Sequence, residues 1–347
     1  MSLTLPIEDW PETDRTMWTR LRLRGGPLDD RGALAHLRET SCKTLISRYG
    51  RWLQWIATTY PELLDHPPAD RAEIARLRHW LQDLAHTQPM MQLMFVDGVL
   101  RILTAYDPTC DWSEHKALRK GLKYLAKRGF QKRKHGRILS SQVLLEAGIR
   151  LATDHADATP SALFRATRIR DGAIIALLAM MPIRRRSLAE LEIGISIFID
   201  AAGATIALSE EQTKTGLPWE AELPPQVLPV FRQYVDEARP LLLERSTEPW
   251  SHLWINRNGV PMSYDHIGPC VATRVKEMTG IRVPPHFFRD AAATTLARIS
   301  PQAAKLIRPI LGHRSFGTAD KHYIHAQTIE AGRDYASLIA DMKGAAR

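Results

Sequence analysis

Pro284-Pro285-His286-Phe287-Phe288-Arg289-Asp290-Ala291-Ala292-Ala293-Thr294-Thr295 is the stretch on which the reading of this chain turns. The two prolines block a helix before His286, and the Ala-rich run continues one after it. His286 and Arg289 therefore sit three apart near a first turn and share a face. A helix start offers unbonded N–H groups and the positive end of a dipole, so an arginine beside it makes a seat for phosphate. Further on comes Leu311-Gly312-His313-Arg314-Ser315-Phe316-Gly317-Thr318-Ala319-Asp320-Lys321-His322-Tyr323. In it Gly312 is expected to permit close backbone approach. His313 supplies a donor or proton carrier near neutral pH, and Tyr323 a phenol able to act as a covalent nucleophile. Each motif alone is weak. Their order, H-x-x-R, then L-G-H, then T-x-x-x-x-Y, in the last quarter of a basic chain is far more specific.

Working backwards, residues 161–181 read as a long apolar helix. A second short helix is expected to begin near Ser187, whose spacing to Glu190 is that of a capping box. Three β-rich pieces follow at 195–200, 205–209 and 219–223, separated by Ala-Ala-Gly-Ala and by Gln212-Thr213-Lys214-Thr215-Gly216-Leu217-Pro218. That pattern predicts a small antiparallel sheet with two hairpin loops. From Pro225 to the C-terminus the pattern reads as helical, with Pro284-Pro285, Pro301 and Pro309 marking helix starts.

The first half reads as helices joined by short polar breaks. Tyr49, Trp52, Leu53 and Ile56 form one stripe at helical spacing, Leu77, Trp80, Leu81 and Leu84 another, and residues 90–106 a more apolar helix. These aromatics are expected in a core rather than stacked on bases. Between Glu114 and Glu146 no acidic residue occurs, while Lys116, Arg119, Lys120, Lys123, Lys127, Arg128, Lys132, Arg133, Lys134 and Arg137 crowd together. Leu118, Leu122 and Leu125 run an apolar line through the first part, so the segment reads as a basic helix passing into a tether over 129–140. A one-sign run of this length repels itself unless a polyanion neutralises it, which makes these ten residues the candidates for DNA phosphate contact.

The chain has 347 residues, enough for two domains, with 44% hydrophobic and 24% charged residues, the balance of an ordinary globular protein. A net charge of +9 points to nucleic acid or an anionic membrane as partner. No run is apolar and long enough to span a bilayer, and the N-terminus lacks the basic-then-apolar order of a secretory signal, so membrane partners are not expected. Cys42, Cys110 and Cys270 are odd in number and widely spaced, suggesting neither disulfides nor zinc; a reducing cytoplasm fits. No metal or other cofactor is expected.

On these motifs the chain resembles the tyrosine recombinase, or phage integrase, family of site-specific DNA recombinases, most clearly over residues 144–338. The family's catalytic domain carries Arg, Lys, H-x-x-R, a second His or Trp, and Tyr in that order, and its first Arg lies in a pattern near G-L-R-x-x-E-L-x-x-L. Here the run is Pro182-Ile183-Arg184-Arg185-Arg186-Ser187-Leu188-Ala189-Glu190-Leu191, where the leucines select Arg184. Pro182 replaces the usual Gly and Ser187 the usual Glu, so Arg185 and Arg186 stay open as alternatives. The family's Lys lies in the loop between the second and third strands, and Lys214 is the lysine of 212–218.

The resemblance implies a mainly α fold with a small antiparallel β-sheet in the catalytic domain: a helical N-terminal core-binding domain plus an α+β catalytic domain. The expected division is an N-terminal extension over 1–30, the DNA-binding domain over 31–128, a basic linker over 129–140 and the catalytic domain over 141–347. The implied mechanism has Tyr323 attack a backbone phosphate, with Arg184, Arg289 and His313 stabilising the charge that develops. Lys214 protonates the leaving 5′-oxygen and His286 assists as acid or base. The bond is kept as a 3′-phosphotyrosine, so strands exchange without ATP. The two domains are expected to clamp double-stranded DNA and four protomers to assemble on two DNA sites, with residues 327–342 docking on a neighbour or packing within their own subunit. Accessory DNA-bending proteins are allowed for, and a mobile genetic element is the expected source. A type IB topoisomerase shares the nucleophile but relaxes DNA as a monomer. A binding protein that has lost catalysis is the other alternative, against which stands the filling of all six positions.

Overall fold

The computed structural model describes residues 3–26, 29–130 and 136–312. The chain divides into two compact units, residues 1–135 and 136–347.

The first unit is helical. Its longer helices are α1 (Glu12–Arg22), α2 (Glu39–Thr59), α3 (Ile74–Asp83), α4 (Pro89–Tyr106) and α5 (Ser113–Phe130), with short connections between that include the single helical turn Pro68–Arg71. The stripe Tyr49, Trp52, Leu53 and Ile56 on α2 is fully buried, as are Leu77 and Trp80 on α3. Trp52 meets Trp80 edge-on at 5.1 Å, so these aromatics form core and no base-stacking platform. Residues before position 30, expected as an extension, contribute Trp10, Met17, Trp18 and Leu21 to this same core. Asp14 is buried as well, ion-paired with the buried Arg71 and accepting a hydrogen bond of 2.6 Å from the Tyr49 hydroxyl. Removing one member of a buried pair strands the other charge, at a cost of about 3–5 kcal/mol. Asp14→Ala is accordingly expected to lower the denaturant midpoint of the first unit strongly, read by the fluorescence of Trp10, Trp18 and Trp52. An unchanged midpoint would show that α1 contributes nothing to this unit's stability.

On α5 the buried line runs through His115, Leu122 and Ala126, with Trp112 buried just before the helix. Leu125, expected in that line, is 50% exposed. Ala126, four residues after Leu122, takes the inner position because a straight helix returns to one face at i+4 as readily as at i+3.

The second unit begins with α6 (Ser141–Ala152), capped by the Ser140 hydroxyl, and α7 (Ala162–Met180), capped by that of Ser161. Residues 173–178 of α7 are wholly buried, and the core is built around them. α6 packs unusually close because Gly148 and Gly172 carry no side chain at the crossing: a Cβ on Gly148 would come within 2.6 Å of the Ala176 nitrogen. The chain leaves α7 through Pro182 and Ile183 and enters α8 (Arg185–Ala189).

A three-stranded antiparallel sheet follows in the expected order, β1 (Ile197–Ile199), β2 (Ala204–Leu208) and β3 (Trp219–Glu222). Register pairs Ile197 with Ile206 and Leu208 with Trp219. The alternation of β2 buries Ala204, Ile206 and Leu208 on one face. Beyond it, α9 (Leu228–Gln233) and α10 (Arg239–Leu243) are joined by a π-turn at Tyr234–Ala238. The expectation of helix all the way from Pro225 fails over 244–263, where an irregular segment carries Leu253, Trp254 and Ile255 into the core and pairs Ile255 with Pro261. Burial of those three apolar residues, at about 1.5–3 kcal/mol for a large side chain, holds it without helical hydrogen bonds. The described part ends with α11 (Tyr264–Thr279), α12 (Pro285–Ile299), α13 (Pro301–Ala304) and α14 (Ile307–Leu311). Pro309 lies inside the single turn of α14 and does not begin it.

Among the described residues no helix is long and apolar enough to cross a membrane.

Candidate active site

Segments distant in sequence meet at one cleft in the second unit. Arg184 reaches it from the junction of α7 and α8, Thr213 and Thr215 from the loop between β2 and β3, Arg289 from the second turn of α12, and Gly312 from the end of α14.

The three consecutive arginines separate here. Arg185 lies over the Tyr264 ring, 3.6 Å from its centroid, and Arg186 is exposed and ion-paired with Glu190 at 2.7 Å. Arg184 lines the cleft, and among the described residues its guanidinium has no hydrogen bond or ion pair. Leu188 and Leu191, the leucines that select Arg184 in sequence, are both fully buried, which sets the register of α8. The expected capping box is not formed. Arg184 is the N-cap, Ser187 stands inside the helix, and Glu190 turns to Arg186. The Ser187 hydroxyl instead donates to the Gln212 carbonyl across the cleft wall at 2.8 Å.

Arg289 is held from two sides. One Nη donates to the Pro182 carbonyl, 107 residues away in sequence, at 2.7 Å, and the other to the Leu311 carbonyl. It thereby ties α12 to the approach to Arg184 and to the last turn before His313. Burial and the nearby Arg184 push Arg289 down to about 10, with Asp290 opposing; burial also lowers Arg184. Both remain cations at neutral pH. Two like charges in a half-buried cleft repel one another, and an anion bound between them would offset that repulsion by attracting both.

Gly312 ends α14 in the left-handed conformation, φ 55° and ψ 48°. Among the described residues a Cβ there would meet nothing within 4 Å, and the positive φ gives the glycine a backbone reason of its own. His286 is exposed at the first turn of α12, edge-on to Phe287, and is not among the cleft-lining side chains. Lys214 is exposed at the tip of its loop, between the cleft-lining Thr213 and Thr215. Arg308 also lines the cleft; a lone arginine on a short helix carried no signal in sequence. His313 and Tyr323 lie outside the described residues, as do Lys132, Arg133, Lys134 and the segment 327–342.

Of the basic run, Lys116, Arg119, Lys120, Lys123, Lys127 and Arg128 are exposed on α5. Lys116, Lys120, Lys123 and Lys127 recur at helical spacing along one exposed face beside the buried line, with Lys116, Lys123 and Lys127 each following a buried residue. Arg119 pairs with Asp97 at 3.3 Å, and Arg128 lies over the Tyr124 ring. Arg137 is engaged within the second unit, donating to the Arg282 carbonyl at 2.8 Å and lying over Phe287. No three metal-ligating side chains gather among the described residues.

Three arginines, Arg184, Arg289 and Arg308, thus line one cleft of a helical unit with a three-stranded sheet, a lining suited to an anion. The model of the phage integrase family matches residues 149–330, more than half of the chain, and the chain belongs to that family. It is a site-specific recombinase of the tyrosine type. A comparison with curated proteins finds no match. Solved structures similar over most of the chain include three of known recombinases. They are XerH site-specific recombinase bound to difH substrate in a pre-cleavage complex (17% identity, 94% of this chain and 98% of that one, TM-score 0.45), XerA recombinase (16%, 84% and 89%, 0.39), and a lambda integrase dimer bound to a COC′ core site (14%, 90% and 75%, 0.45).

Proposed function

We propose that this recombinase cuts and rejoins double-stranded DNA at specific sites through a 3′-phosphotyrosine on Tyr323, and that it serves a mobile genetic element. The observation that carries the assignment of residues is the meeting of Arg184 and Arg289 in one cleft beside the Lys214 loop and the last turn before His313. Of the three adjacent arginines, Arg184 is assigned the catalytic role, since Arg185 and Arg186 are occupied elsewhere.

In the proposed reaction the Tyr323 oxygen attacks the phosphorus in line. Arg184, Arg289 and His313 take up the charge that grows on the nonbridging oxygens. The P–O bond to the 5′-oxygen breaks, Lys214 gives that oxygen a proton, and His286 assists proton movement. Attack by another 5′-hydroxyl reverses the step and releases Tyr323. The second unit is assigned catalysis, the first DNA binding, and four protomers on two sites the working assembly.

Two circular plasmids, each carrying the DNA that flanks this protein's gene, test the function. Recombination yields junctions joining the plasmids. Relaxed circles without junctions would indicate a topoisomerase, and bound but unchanged plasmids a binder only. Sizing of the protein–DNA complex tests the tetramer.

The exposed stripe on α5 makes a separate prediction. Replacing Lys116, Lys120, Lys123 and Lys127 with Ala is expected to weaken binding on all DNA sequences and to flatten its salt dependence, by up to about one log unit for each phosphate no longer neutralised. An unaltered slope would reduce the stripe to a solvated helix face.

A further inference from the structure

The family pattern has Glu where this chain has Ser187, and the structure shows what the serine does. Ser187 is 3% exposed and lines the active-site cleft three residues after Arg184. Its hydroxyl donates to the Gln212 carbonyl at 2.8 Å, bridging 25 residues of sequence from α8 to the loop between β2 and β3. The same loop is closed around Lys214 by Thr213, whose hydroxyl donates to the Leu217 carbonyl at 2.8 Å and accepts from the Leu217 nitrogen at 3.2 Å. Gln212 closes its other end, accepting from the Ser209 nitrogen at 3.1 Å. Lys214 thus sits at the tip of a turn internally cross-linked by Thr213 and anchored to the arginine-bearing wall of the cleft through Ser187. Lys214, Leu217 and Pro218 face solvent while Thr213 is buried, so the buried contacts at the base of the loop determine where the lysine can reach.

We infer that Ser187 is a positioning residue for Lys214: its hydrogen bond to Gln212 holds the lysine loop at a set distance from Arg184. This rests on the assignment of Lys214 as the proton donor to the leaving 5′-oxygen. The general acid must lie within hydrogen-bond reach of that oxygen at the moment the arginines hold the phosphate, and a shift of about 1 Å in such a group costs on the order of a hundredfold in rate. A serine hydroxyl is short and neutral, so it spans this gap only with helix and loop in direct contact, and it donates where a carboxylate could only accept.

The test compares single-turnover cleavage of a normal duplex with cleavage of one whose leaving 5′-oxygen is replaced by sulfur, which departs without a proton. Ser187→Ala, in the full-length protein, is expected to slow the oxygen substrate by about ten- to a hundredfold, to leave DNA binding unchanged, and to recover most of the rate on sulfur. Lys214→Ala should show the same pattern more strongly, and Ser187→Thr, which keeps the hydroxyl, should stay near the wild-type rate. Ser187→Cys, close in size but a poor donor, serves if the alanine variant folds badly. Equal losses on both substrates for Ser187→Ala, with Lys214→Ala recovered by sulfur, would overturn the positioning role and leave Lys214 as the acid. Failure of sulfur to recover Lys214→Ala would overturn both, and an undiminished rate in Ser187→Ala and Ser187→Cys would overturn the inference alone.

Discussion

Tyr323→Phe protein is expected to bind its DNA and leave it uncut. The substitution keeps the ring and its packing and removes only the attacking oxygen, so folding and DNA affinity should be retained. A free phenol has a pKa of about 10 and is a weak nucleophile at neutral pH. In the proposed mechanism Arg184 and Arg289 stabilise the charge that develops on the phosphate oxygens and Tyr323 supplies the nucleophile, so little cleavage is expected without its oxygen. On a nicked substrate, whose cleaved strand diffuses away, wild-type protein should accumulate a covalent protein–DNA adduct that survives denaturant. The Phe variant should accumulate none. Peptide mapping must place the nucleotide on the fragment containing Tyr323. Label on Tyr335, or an adduct of normal yield in the variant, would end this assignment.

The second large effect is expected at Arg184. Arg184→Ala should leave site binding nearly intact and cut cleavage by roughly two or more orders of magnitude, because its donors matter most when charge appears on the phosphate. The structure makes the comparison sharp. Arg185 is committed to the Tyr264 ring and Arg186 to Glu190, so Arg185→Ala and Arg186→Ala should retain most of the cleavage rate. Arg184→Lys should recover little, since one ammonium cannot reproduce a planar fork of donors. A loss of cleavage confined to Arg185→Ala or Arg186→Ala would mean that the run is read one or two residues out of register.

Much of the fold is legible along the chain because its signals are local. The stripe on α2 and the start of α12 at Pro285 need only a few neighbouring residues, and the three strands announce themselves by β-rich pieces between turn residues. Local reading fails where a local pattern competes with a distant partner. Ser187 and Glu190 have the spacing of a capping box, but each finds a different partner, Gln212 and Arg186, once α8 is packed. The segment 244–263 carries no strong periodicity, and its conformation follows from where Leu253, Trp254 and Ile255 are buried.

The sequence by itself determined the helical character of both units, the order of strands, the concentration of positive charge on one helix and the family, through the order of its motif residues. The tertiary structure decided which of three adjacent arginines faces the cleft, that Arg289 is clamped between the Pro182 and Leu311 carbonyls, that Ser187 serves the lysine loop, and that the first helix is locked into the core by Asp14 and Arg71. The physical reason is range: periodicity, capping and charge density are properties of a few consecutive residues. A buried ion pair, or a hydrogen bond between residues 25 or 107 apart, exists only after the core has brought the two ends together.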